Sequence, residues 1–158
     1  MGLFSRNKKS IDHQINAFTS GTVIPLKDVP DQVFAQGYMG EGVAIEPTDN
    51  NIYAPCDGVL TVVFPTGHAY GISREDGVEL LVHLGIDTVE LNGQGFTVLV
   101  KKGDKVKRGD KLAIVDWDFI KSQGKSTISP LIVTSGQAIT ITDIPQITPT
   151  IDDFIKII

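Results

Sequence analysis

The sequence predicts an all-β fold: an antiparallel β-sandwich or flattened barrel with short helical turns and a flexible N-terminal tail. Two observations carry this. From about Gly21 onward, short apolar runs alternate with turn signals such as VPD, QGYMGEG, EPTDNN, APCDG, PTG, REDG, NGQG, KKGD and KRGD. Strands spaced this closely, with Gly, Pro, Asp and Asn between them, assemble into sandwiches or barrels. In the same region no stretch sustains helical periodicity over three turns.

Taken in order, residues 1–18 form the expected tail, weakly amphipathic through Leu3, Phe4, Ile11, Ile15 and Phe18. Residues 19–158 form the domain. GVAIEP, GVLTVVF, HAYGIS, VELLVHLG, FTVLVK, KLAIVD and TISPLIVTS read as strands, and Asp116 to Gln123 (DWDFIKSQ) as about one helical turn. At 158 residues, 41% of them apolar, the chain suffices for one domain with its own core. No apolar run approaches the ~20 residues of a transmembrane helix. MGLFSRNKKS lacks the continuous apolar region of a signal peptide. A lone Cys56 makes no intramolecular disulfide, which suits a reducing cytoplasm.

Charge narrows the partners. The net charge of −5 argues against nucleic acid. Residues 1–20 carry Arg6, Lys8 and Lys9 against Asp12, a formal +2, and the remainder is −7. Leu3 and Phe4 beside these cations make contact between the tail and an anionic membrane surface a reasonable expectation.

The most informative stretch is GHAYGISREDGVELLVHLG, which carries two of the three histidines. REDG is a turn signal between two strand-like runs. If Glu75-Asp76 is a two-residue loop, Arg74 faces Gly77 and His68 faces His83, with Cβ atoms ~5 Å apart. If Asp76-Gly77 is the loop, the rings are diagonal neighbours. Either even-length loop puts both on one face, whereas a three- or five-residue loop separates them. Val78, Leu80, Val82 and Leu84 share the opposite, core face. A single histidine in an apolar strand is ordinarily a core ring satisfied by backbone. Two on one half-apolar face permit part of a zinc site, an acid–base pair, or a phosphoryl acceptor beside a ring that donates N–H.

These motifs carry a resemblance. VPDQVFAQGYMGEGVAIEPTDN, APCDGVLTVVFPTGHAYGI, GVELLVHLGIDTVELNGQGF and KKGDKVKRGDKL closely resemble the glucose-type enzyme IIA component of the bacterial sugar phosphotransferase system, from about Thr19 to Val133. The resemblance implies a β-sandwich phosphoryl carrier, a phosphotransferase component with a phosphohistidine intermediate. His83, in VHLGIDT, would accept the phosphoryl group from the histidine phosphocarrier protein and pass it to a cysteine on the enzyme IIB domain of a sugar permease. His68 would be the second active-site histidine and Thr66 the hydroxyl that orients it. Val33, Phe34, Tyr38, Met39, Phe64 and Val89 match the apolar rim that docks partners, and Asp31 and Asp87 the acidic residues beside it. No cofactor is required, although His68 and His83 could share a zinc ion with a regulatory target protein. The implied location is cytoplasmic, with the tail at the inner membrane face. Residues 134–158 depart from the family's usual closing segment. Cys56 replaces an aliphatic residue and reads as a small inert hydrophobe.

Two further readings come from other classes. A zinc metallopeptidase-like β-domain needs a third ligand, and His13 is the remaining histidine, with Asp87 as a substitute. A regulatory binding module would bind other proteins in one phosphorylation state, which adds to phosphotransfer instead of competing with it.

Overall fold

The structure, a computed structural model, describes residues 13–158. The proposed membrane-binding residues Leu3, Phe4, Arg6, Lys8 and Lys9 lie outside that range. Strands β1 (Gly21–Pro25), β2 (Glu41–Pro47), β3 (Asn51–Tyr53), β4 (Gly58–Val63), β5 (Ala69–Ser73) and β6 (Glu79–His83) make up the first half. A 3-10 turn (Leu26–Asp28) and a short helix α1 (Gln32–Ala35) interrupt it between β1 and β2. After a second 3-10 turn (Thr88–Leu91) come β7 (Phe96–Val98), β8 (Lys105–Val106), β9 (Lys111–Val115) and helix α2 (Trp117–Ser122). The chain closes with β10 (Ser129–Val133), β11 (Ile139–Ile141), β12 (Gln146–Ile147) and β13 (Ile155–Ile157).

Eight strands form one antiparallel sheet in the order β12-β1-β2-β10-β6-β5-β4-β8, and β3-β9-β7 form a second. A small β11–β13 ribbon accompanies them. The end strands β12 and β8 of the large sheet do not pair with each other, so the fold is a flattened sandwich and not a closed barrel. All seven sequence-predicted strands contain an observed strand. The predicted turn at DWDFIKSQ is α2, capped by Asp116, whose side chain accepts from the Phe119 amide.

Alternation sorts the sheet's two faces. Leu80 and Val82 of β6, Tyr70 and Ile72 of β5, Val43 and Ile45 of β2, and Leu131 and Val133 of β10 point to the main core. There they meet Ile52, Leu112, Ala113 and Val115 of the second sheet. Each Val, Leu or Ile among them contributes ~1.5–3 kcal/mol through burial. Cys56 is fully buried in this core, as a small hydrophobe should be. The intervening residues Ala44 and Ile132 face the other way and gather a smaller cluster with Val29, Phe34 and Ile86. That cluster is the floor of the candidate site.

Two expectations change. Ile15, Ala17 and Phe18, which the sequence reading leaves in the tail, are fully buried, and Ile15 bridges Ile155. The β5–β6 hairpin also has a different loop. Ser73 pairs with Glu79 and Ala69 with His83, while the Arg74 amide donates to the Val78 carbonyl. The loop is therefore the three residues Glu75-Asp76-Gly77. Gly77 adopts φ 92°, the left-handed residue that closes a three-residue hairpin. Arg74 thus faces Val78, and Tyr70 and Ile72 lie on the core face.

Candidate phosphoryl-transfer site

An odd-length loop should have put the two imidazoles on opposite faces, yet their ring centroids are 5.3 Å apart at an interplanar angle of 77°. The reason lies at the strand's end. His68 precedes β5, directly after Gly67 at φ 76°, where the alternation of the strand no longer applies. Its carbonyl still accepts from the Leu84 amide at 2.7 Å, tying the end of one strand to the end of the other. The pair is real, but it is made by the strand ends and not by the ladder.

Each ring is held by its Nδ1. His83 Nδ1 lies 2.7 Å from the Gly85 carbonyl oxygen, which can only accept. Nδ1 therefore carries the proton and Nε2 keeps its lone pair. His68 Nδ1 lies 2.7 Å from Thr66 Oγ1. When the hydroxyl donates there, His68 keeps its proton on Nε2. The two rings then present opposite chemistry, a nucleophilic nitrogen on His83 and an N–H donor on His68.

Apolar surroundings keep both rings neutral. Phe34 packs on His83 with centroids 5.1 Å apart, and Phe64 meets His68 edge-on at 4.9 Å. Burial lowers the His68 pKa to about 4, and the neighbouring His83 pushes it the same way. Burial also lowers the His83 pKa, while the Gly85 carbonyl and the Asp31 and Asp87 carboxylates oppose it. A neutral imidazole is what a nucleophile requires near pH 7.

The chain around His83 is built to hold it. Asp31 caps α1, its Oδ1 accepting from the amides of Val33 (2.9 Å) and Phe34 (3.4 Å). That cap aims Phe34 inward, and at 6% exposure it is a wall of the site and not part of an exposed rim. Val33, Tyr38, Met39, Phe64 and Val89 are exposed, Tyr38 by 74%. Asp87, exposed at φ 60°, opens the turn that presents Val89. Gly85 and Ser129 are the site residues that sequence reasoning missed. The glycine in VHLGIDT and the serine before proline in ISPLIV were the available signals.

No metal set assembles here: among the described residues no group of three or more His, Cys, Asp or Glu could hold an ion. His13 does not join the pair. It sits 3.6 Å from Asp76 in the hairpin loop, at the far end of β5 and β6. The metallopeptidase reading thus lacks its third ligand.

Residues 13–139 match the family model for the phosphoenolpyruvate-dependent sugar phosphotransferase system, EIIA 1. The chain belongs to this family. It is also similar to the solved structure of glucose permease IIA from Mycoplasma capricolum, at 37% identity and a TM-score of 0.81. That likeness covers 91% of this chain and 93% of the other, so it extends beyond the segment that carries the sequence resemblance. The protein is an EIIA-type phosphoryl carrier of sugar uptake, a component of the phosphotransferase system. Among the described residues no helix is long and apolar enough to cross a membrane.

Proposed function

We propose that His83 is the phosphoryl acceptor and that His68, oriented by Thr66, stabilises the transferring group. The observation that carries this reading is the His83 Nδ1–Gly85 hydrogen bond, which leaves Nε2 as the nucleophile. The lone pair of Nε2 attacks the phosphorus of the phosphohistidine on the histidine phosphocarrier protein. As the new N–P bond forms, the old one breaks, and the departing imidazole keeps the electron pair. In the second transfer a cysteine thiolate of the permease's enzyme IIB domain attacks, an S–P bond replaces the N–P bond, and His83 returns to neutral. The His68 Nε2–H donates to the phosphoryl oxygens chiefly in the onward transfer, because the first transfer can draw on the phosphocarrier's own donors while the group on His83 would otherwise stand uncompensated on a half-apolar surface.

Partners would dock on Val33, Tyr38, Met39, Phe64 and Val89, with Phe34 supporting the ring from beneath. Asp31 and Asp87 lie close enough to His83 to act on its charge, and they favour a basic partner surface over bulk phosphate. Transfer itself needs no cofactor. With the Thr66 hydroxyl accepting from His68 Nδ1 instead of donating, both Nε2 atoms would offer lone pairs as two positions of a tetrahedral zinc site, a regulatory partner's carboxylate and a water completing it. Phosphorylation of His83 would abolish that site. Residues 1–12 would add contact with anionic lipid at the inner membrane face. Truncation at residue 12 tests this while sparing Ile15, which belongs to the core.

The deciding experiment incubates the protein with phosphoenolpyruvate, enzyme I and the phosphocarrier protein. Mass spectrometry should find one acid-labile phosphoryl group, absent from His83→Ala. Labelling of His83→Ala at His68 would overturn the assignment.

A further inference from the structure

The ladder between β6 and β10 stops one residue short of His83. Its last pair is Leu131 with Val82, and the next residue along β10 is Pro130, which has no N–H to extend it. Past that point β10 no longer supports this edge of the strand, which carries the nucleophile and the carbonyl that fixes its tautomer. A side chain takes over from the backbone. Ser129 is fully buried, and its Oγ accepts from the Gly85 amide at 2.9 Å while donating to the Thr127 carbonyl at 2.9 Å. Gly85 in turn accepts from His83 Nδ1.

We propose that Ser129 is a positioning residue for phosphoryl transfer, holding the Gly85 peptide so that the proton of His83 stays on Nδ1. The Gly85 N–H belongs to the peptide before its Cα and the carbonyl to the peptide after it, so Ser129 fixes the first plane, and its loss lets φ and ψ of Gly85 readjust and tilt the second. Ser129 shares this task with the tight packing around Gly85. Gly85 sits at φ 77°, and a Cβ there would meet Thr88 Cγ2 at 2.6 Å and the Ser126 carbonyl oxygen at 2.9 Å. The neighbouring Leu84 carbonyl accepts from Thr88 Oγ1 at 2.7 Å, and the Ile86 amide donates to the Ser126 carbonyl at 3.1 Å. These contacts fix the residues on either side of Gly85. Among the hydrogen bonds to the Gly85 peptide itself, Ser129 holds the N–H and His83 uses the carbonyl. A ring whose orienting group loses its own support resembles an outer-shell defect at a metal-bound histidine, where losses of about tenfold or more follow.

This inference rests on His83 as acceptor, and its test separates the two. Histidine ring 15N shifts in the unphosphorylated protein report the His83 tautomer directly, with no transfer involved. In Ser129→Ala the His83 ring should become a mixture of tautomers, and phosphorylation by the phosphocarrier should slow about tenfold at unchanged KM. Ser129→Thr, which restores a hydroxyl, should recover both. Thr19→Val is the structural control. Thr19 is equally buried and donates to the Asn51 carbonyl at 2.8 Å, far along the chain from the site. It should lose stability without moving the tautomer. If Ser129→Ala does not fold, Ser129→Cys replaces it, a weaker acceptor of similar shape that should give an intermediate rate. The proposal fails if Nδ1 stays fully protonated in Ser129→Ala, or if Ser129→Cys and Ser129→Thr transfer at equal rates. Labelling of His83→Ala at another histidine would instead count against the acceptor assignment and leave the tautomer result standing.

Discussion

Replacing His68 with Gln should flatten the acid limb of the protein's stability. His68 is 4% exposed, and burial holds its pKa near 4 against an ordinary value of 6.5. Between those values the unfolded chain binds a proton that the folded protein refuses, so the unfolded state binds more protons and stability rises with pH. As pH falls from 7 to 5 the unfolded His68 protonates while the native ring stays neutral. With the two pKa values at 4 and 6.5, that single site costs about 2 kcal/mol over the interval. His83 acts in the same direction, because its pKa is lowered too. Gln does not titrate, so the variant keeps only the His83 contribution and should lose about 2 kcal/mol less from pH 7 to pH 5. Urea unfolding at several pH values measures this as a change of slope, which a constant offset from the lost Thr66 hydrogen bond does not disturb. Parallel pH profiles for wild type and variant would refute the argument. So would an NMR titration placing the native His68 pKa near 6.5.

The same variant should separate the two transfers: His68→Gln accepts the phosphoryl group but donates it onward poorly, followed as loss of label when the permease's cysteine domain is added. Onward transfer at the wild-type rate would make His68 a bystander. Tyr38→Ser should raise the KM for the phosphocarrier about fivefold, the size of a 1 kcal/mol contact, and leave the urea midpoint unchanged. An unchanged KM would remove Tyr38 from the docking rim. Tyr70 is fully buried on the core face, and its hydroxyl finds no hydrogen-bond partner among the described residues. Tyr70→Phe should therefore be neutral or stabilising by up to about 1 kcal/mol in urea unfolding, because the hydroxyl's desolvation is uncompensated. A clear loss of stability would show that the hydroxyl is bonded.

The fold was legible where one simple rule governs. Val78, Leu80, Val82 and Leu84 alternate against polar or half-buried neighbours, and all four are in the core. Turn length was not legible, because REDG can close as two residues or as three, and φ at Gly77 decides between them. The histidine pair was thus expected for a reason that does not operate. His68 and His83 meet because Gly67 bends the chain at a strand end, and that bend has no periodicity to read. Phe34 shows a similar limit. Apolar residues in VPDQVFAQGYM look alike in sequence, and the Asp31 cap decides that Val33 faces out while Phe34 faces His83. Gly85 was invisible because it acts through its backbone, and Ser129 because its hydroxyl binds backbone groups that no residue pattern marks.

The central claim is that the phosphoryl group resides on His83 Nε2. Phosphorus and 15N NMR of the histidine-labelled phospho-form tests it most directly. The account predicts one phosphorus resonance coupled to Nε2 of His83, with Nδ1 still protonated against the Gly85 carbonyl. A phosphoryl group on His83 Nδ1, or on either nitrogen of His68, would contradict it.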